Sequence, residues 1–183
     1  MMKRRLILGG AASALGAVAL TGLGGCASQN MDSYRNEKPV LDLQQYFNGT
    51  LDAYGVFTDR SGTVVKRFTV VMECSWKDGQ GVLDESFSYS DGSVQKRIWR
   101  LTALGDGRYT GRADDVVGQA QGESKGNAFH WNYTLALPVD GTVYEVQFDD
   151  WMYLVNDRVM LNKASMRKFG IYLGEVTLSF SKR

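Results

Sequence analysis

Phe129-His130-Trp131-Asn132-Tyr133-Thr134-Leu135-Ala136-Leu137-Pro138-Val139-Asp140-Gly141-Thr142-Val143-Tyr144-Glu145-Val146-Gln147-Phe148-Asp149-Asp150 alternates large apolar and polar residues on both sides of a turn signal. A period of two belongs to strands with one face buried. With Pro138-Val139-Asp140-Gly141 as the loop, Leu137 pairs with Thr142, Leu135 with Tyr144, Tyr133 with Val146, Trp131 with Phe148 and Phe129 with Asp150. His130, Asn132 and Thr134 then share the other face with Glu145, Gln147 and Asp149. One face is aromatic and the other polar, as a barrel wall requires.

Working outward from this hairpin, Asp59-Arg60-Ser61-Gly62, Asp78-Gly79, Asp91-Gly92, Gly105-Asp106-Gly107 and Asn156-Asp157 each interrupt an aromatic or β-branched run. The chain has two prolines and no convincing helical period past a short candidate helix at 41–47, which ends at Asn48-Gly49. Consecutive strands would leave exposed edges unless the sheet closes. The expected fold is all-β, an antiparallel meander closed into a barrel of about eight to ten strands. A two-residue turn at Asn156-Asp157 pairs Leu154 with Val159, Met152 with Leu161 and Asp150 with Lys163, so both charges fall on the apolar face. They read either as an ion pair plugging the interior or as a polar anchor for a ligand. In the hairpin around Asp91-Gly92, Leu83, Glu85, Phe87 and Tyr89 share a face with Val94, Lys96, Ile98 and Arg100, so the inward face carries charge whichever it is. The candidate ligand-binding residues are Phe129, Trp131, Tyr133, Tyr144, Phe148, Asp150 and Lys163.

The N-terminus carries an address. Lys3, Arg4 and Arg5 precede an uncharged apolar run at 6–25, and Leu23-Gly24-Gly25 leads into Cys26. The arrangement resembles a bacterial lipoprotein signal with cleavage before a lipidated cysteine; an uncleaved anchor helix is the alternative, since about 20 apolar residues span a bilayer. Ala27, rather than aspartate, follows the cysteine, which in such lipoproteins implies the periplasmic face of the outer membrane. The chain thus divides into a signal peptide at 1–25, lipidated Cys26 with a flexible tether at 26–40, and a barrel domain at 41–183. A free tether of that length would reach about 20 Å.

Losing residues 1–25 removes three of 21 cationic side chains and none of 20 acidic ones. The slightly acidic remainder has no global attraction for nucleic acid. With Cys26 acylated, Cys74 has no partner, so a disulfide framework is excluded. Cys74 reads as a small core residue, with an exposed reactive thiol as the alternative.

Enzyme constellations fail. His130 is the single histidine and lies on the polar face, against a histidine metal cluster or a serine-histidine-aspartate triad. The doublets Asp114-Asp115 and Asp149-Asp150 point to opposite sides of a strand, so neither makes a two-carboxylate site by itself. Gly118, Gly122 and Gly126 read as a flexible connection, with a ligand-admitting lid as the alternative. No catalytic residue, metal or cofactor is expected.

Phe57-x-Asp59-Arg60-x-Gly62, Ser90-Asp91-Gly92, Arg97-x-Trp99, Ala113-Asp114-Asp115-Val116-x-Gly118, Asp149-Asp150-Trp151-Met152 and Gly170-x-x-Leu173-Gly174-Glu175-Val176 together resemble an uncharacterised bacterial outer-membrane lipoprotein family, catalogued as a domain of unknown function. The resemblance implies a lipocalin- or calycin-like barrel and carries no catalytic residues. Two functions stay open: a lipid-anchored module that binds or carries a fatty acid, phospholipid or other small apolar molecule, and a structural or partner-binding envelope lipoprotein with a filled barrel. The expected partners are the membrane, through Cys26, and a small apolar ligand.

Overall fold

Turn chemistry sets the register of each hairpin and hence which residues face inward. The computed structural model describes residues 29–139 and 141–183. Ten strands follow one another: β1 (Gly49–Asp59), β2 (Val64–Lys77), β3 (Gln80–Tyr89), β4 (Val94–Gly105), β5 (Arg108–Arg112), β6 (Ala120–Lys125), β7 (Ala128–Val139), β8 (Thr142–Leu154), β9 (Val159–Lys168) and β10 (Ile171–Lys182). Each pairs antiparallel with its neighbours in sequence, and β1 pairs with β10, so the meander closes into a ten-stranded, lipocalin-like barrel with no free edge.

The central hairpin is tighter than its proline suggests. Val139 pairs with Thr142, placing Leu137 opposite Tyr144, Tyr133 opposite Phe148, Trp131 opposite Asp150 and Phe129 opposite Met152. This register differs from the sequence expectation by two residues, an even number, so every side chain keeps its expected face.

The other two expected registers are off by one, which turns a strand over. Between β3 and β4, Gly92 N–H donates to Tyr89 O and Tyr89 N–H to Ser93 O. Gly92 takes a left-handed φ of +83°, so the loop holds three residues rather than two. Glu85 therefore faces Arg97 and Leu83 faces Trp99, and Lys96 points out to Asp84 at 3.0 Å. Between β8 and β9, the Asn156 side chain accepts the Arg158 and Val159 N–H groups and widens that loop by one residue. Asp150 then pairs with Ala164, and Lys163 lies opposite Trp151.

One end of the barrel is closed by α1 (Leu43–Tyr46), the helix anticipated at 41–47. Asp42 caps it by accepting the N–H groups of Gln44 and Gln45. Leu43 and Phe47 fill the barrel end, Phe47 lying edge-on to Phe180, and the Tyr46 hydroxyl donates to Arg158 O at 3.1 Å. The segment before α1 is not a free tether over its described part. Met31–Tyr34 forms a 3-10 turn whose Met31 is buried with Ala128 and Trp151, and Tyr34 packs against Trp151 and Tyr153. Gln29 donates to the Tyr34 and Tyr153 hydroxyls, and Leu41 N–H to Gly126 O. Three well-placed apolar side chains suffice to hold such a strap, and they need no periodicity. Cys26 and the signal segment lie outside the described residues.

Cys74 is buried, and burial pushes its thiol up to about 12, which answers the sequence alternatives in favour of a core residue.

Candidate functional site

The interior is an aromatic barrel with a polar belt. Of the expected site residues, Phe129, Trp131, Tyr133, Phe148 and Asp150 all line one internal cavity. Tyr133 and Phe148 stack as a cross-strand pair with centroids 5.0 Å apart, and Phe129 stacks on Trp131 at 5.5 Å. Trp99 meets Trp131 and Tyr133 edge-on.

Two expected members are elsewhere. Tyr144 sits near the start of β8, 38% exposed, with the Lys168 ammonium 4.0 Å from its ring centre, and it does not reach the cavity. Lys163 is outside the barrel, its Nζ 3.1 Å from Glu175 Oε2 with most of its side chain in solvent. The Asp150–Lys163 pair does not form, because the widened Asn156 loop turns β9 over.

What accompanies Asp150 instead is a set of charged groups from β3, β4 and the β5–β6 connection. Glu85 is buried, with Oε2 4.0 Å from the Arg97 guanidinium. Arg97 grips Asp115 through Nε and Nη2 at 2.7–3.1 Å, a forked geometry suited to carboxylate. Tyr89 donates to Gln95, and Gln95 to Asp115. Asp115 belongs to a strap at 113–119 that covers a gap in the wall, since β5 and β6 are half the length of their neighbours. Val117 N–H donates to Thr134 O, and Ala136 N–H to Asp115 O, so the strap is hydrogen-bonded to β7. Toward β4, among the described residues, its polar contacts are the side-chain bonds from Arg97 and Gln95.

Asp150 is 6% exposed, and its Oδ1 has no hydrogen-bond partner among the described residues. Burial pushes its carboxyl up to about 7, partly offset by the Tyr133 hydroxyl and Arg97 and reinforced by Asp149 and Glu85. Burial likewise raises Glu85 to about 7 against the opposing pull of Arg97, with Asp115 and Asp84 adding to the rise. Both folded-state values exceed those of an unfolded chain, so the fold binds protons more tightly and loses stability as pH rises through 7. The expected loss between pH 5.5 and 8.5 is about 2 kcal/mol for each carboxyl. Urea midpoints across that range test this, and the Glu85→Gln, Asp150→Asn double variant should flatten the profile. A parent profile flat over the range would show that the two acids are not buried.

The cavity measures about 160 Å³. That compares with the ~150 Å³ that admits benzene and is about half the ~300 Å³ of a drug-sized site. The barrel is thus partly filled by its own side chains, leaving room for a short chain or one ring. Leu43, Phe47, Met72, Leu83 and Phe180 give apolar lining; Glu85, Arg97 and Asp150 are the charged lining residues.

His130 lies outside, as expected, stacked on Trp151 and bonded to Asp149. Gly122 and Gly126 are not a flexible connection. Gly122 sits in β6 beneath Trp131, and Gly126 lies against Tyr34 O in the β6–β7 turn. Arg97 and Asp115 were missed as site residues because Asp115 lies past the end of β5, where strand alternation no longer assigns a face, although the two stand in line with the β4–β5 register, in which Arg100 pairs with Arg112, and within the sequence signatures Arg97-x-Trp99 and Ala113-Asp114-Asp115.

Comparison with known proteins agrees with this architecture. The S-type phycobiliprotein lyase from Guillardia theta superposes with a TM-score of 0.58 at 7% identity, covering 85% of this chain and 98% of its own. A DUF3598-family protein of unknown function from Nostoc punctiforme gives 0.55 at 14% identity, covering 80% of this chain and 51% of its own. At such identities the likeness is one of fold. No curated protein matches the chain. The model of a family described as a protein of unknown function, DUF3833, matches residues 20–182, and the chain belongs to that family.

Proposed function

We propose that this DUF3833 protein is an envelope lipoprotein that binds a small apolar molecule, such as the end of a lipid chain, inside its barrel. The observation that carries the reading is the internal cavity whose mostly apolar wall holds, among the described residues, one unpartnered carboxylate oxygen. Binding sites of this kind are mostly apolar, with a few polar groups that orient the ligand. A barrel with no ligand would leave Asp150 buried and unsatisfied at a cost with no return.

In this reading Cys26 carries the anchor on the periplasmic face of the outer membrane. Gln29 is already tied to Tyr153 near the end that α1 closes, and only Ala27 and Ser28 separate it from Cys26. The three residue steps from Gln29 to Cys26 can reach at most about 11 Å, so the closed end sits near the bilayer and the opposite end faces away from it. Native mass spectrometry of protein purified from membranes should find an apolar molecule bound beyond the acyl groups on Cys26. Cys26→Ser should leave soluble or unprocessed protein. Protein purified without any bound molecule, and unable to take up an added one, would defeat the binding role; membrane fractionation unaltered by Cys26→Ser would defeat the anchor.

A further inference from the structure

We infer that the cavity selects a ligand whose buried head donates a hydrogen bond, an alcohol or an amine, and that it rejects carboxylates. The inference rests on the binding role proposed above and specifies its chemistry. Three observations lead to it. First, Asp150 Oδ1 is an acceptor with no donor among the described residues, on a residue more than nine-tenths buried that lines the cavity. Such an atom awaits a donor, since leaving it unpaired is costly.

Second, the charged lining comprises two carboxylates, Glu85 and Asp150, and one guanidinium, Arg97. That guanidinium is already committed, forked onto Asp115 and facing Glu85. An incoming carboxylate would meet no free cation among the described lining residues and would lie among like charges. Third, the lysine that could have received an acidic head, Lys163, is on the outer surface with Glu175. The Tyr133 hydroxyl, which donates to Asp150, keeps a lone pair that can accept from the same donating head.

The groups facing the Asp150 carboxylate are Tyr133 from β7, Arg97 from β4 and Glu85 from β3, with Asp149 adding its charge from the outer face of β8. At pH 8 this field is net negative, which sets the best pH for the test. The probes are 1-octanol, octylamine and octanoate, whose chains match and whose heads differ. Binding is read by calorimetry and by the fluorescence of Trp99 and Trp131, which line the cavity.

Octanol and octylamine should bind about tenfold or more tightly than octanoate, the scale of one hydrogen bond to a charged group. Asp150→Asn keeps an acceptor oxygen but loses the charge, so the amine should lose its advantage over octanoate by a similar factor while octanol still binds. Lys163→Met should leave all three affinities unchanged. Equal binding of the three probes, or a preference for octanoate, overturns the donor-head inference and leaves the apolar-binding reading standing. Binding of none of them by folded parent protein overturns both.

Discussion

Arg97→Met is expected to destabilise the barrel by about 3–5 kcal/mol, the cost of removing one partner from a buried ion network. Glu85 would remain buried with no counter-charge, and Asp115 would lose the fork that ties the strap at 113–119 to β4. Urea unfolding at constant m-value measures the loss. The network predicts more than a lower midpoint. Exchange at the Val117 and Ala136 amides, which bond Thr134 O and Asp115 O, should accelerate because the single long bond from Gln95 is then what is left to tie the strap to β4. Replacing all three members with apolar residues, as Glu85→Leu, Arg97→Met and Asp115→Leu, should recover much of the stability, since no charge is left unpaired. A loss below ~1 kcal/mol for Arg97→Met alone would mean that solvent reaches the pair and that the strap has another fastening.

The barrel and its inward face were legible because alternation over long strands survives small errors of turn assignment, provided these are even. Val139 pairing with Thr142, rather than Leu137, moved each partner by two and left Phe129, Trp131, Tyr133, Phe148 and Asp150 inside. The Gly92 and Asn156 loops were each one residue longer than read, and one residue was enough to exchange Lys96 for Arg97 and Lys163 for Ala164 on the inner face. The difference lies in a single left-handed glycine and in one side-chain oxygen capturing two amides. The resemblance motifs contained Arg97 and Asp115, but Asp115 lies past the end of β5 in the strap, where alternation no longer assigns a face, so the local pattern does not report their meeting. The docked strap at 31–41 was hidden for a related reason. Met31, Tyr34 and Leu41 are too sparse to form a period, yet each meets the barrel wall or its core.

Trp131→Ala should cost about 3–5 kcal/mol, the range for truncating a buried large aromatic. Trp131 is 5% exposed and touches Phe129 and Trp99, so the indole has no water to return to and leaves a void behind. It also roofs the glycines of two adjoining strands: a Cβ at Gly111 would lie 2.7 Å from the indole, and one at Gly122 2.4 Å away. An aromatic ring over strand glycines shields backbone that would otherwise be uncovered. That contact makes a sharper test than truncation alone. In the parent, Gly111→Ala must displace both Trp131 and Leu101, whereas in Trp131→Ala the indole obstacle is gone. Gly111→Ala should therefore cost at least about 1 kcal/mol less in the Trp131→Ala background, within the range of coupling found for residues in contact. Gly122→Ala should show less relief, because its Cβ also meets His130 O at 2.6 Å, and a backbone carbonyl does not move when the indole leaves. Additivity at Gly111 to within ~0.5 kcal/mol would place Trp131 away from β5 and contradict the packing of the inner wall.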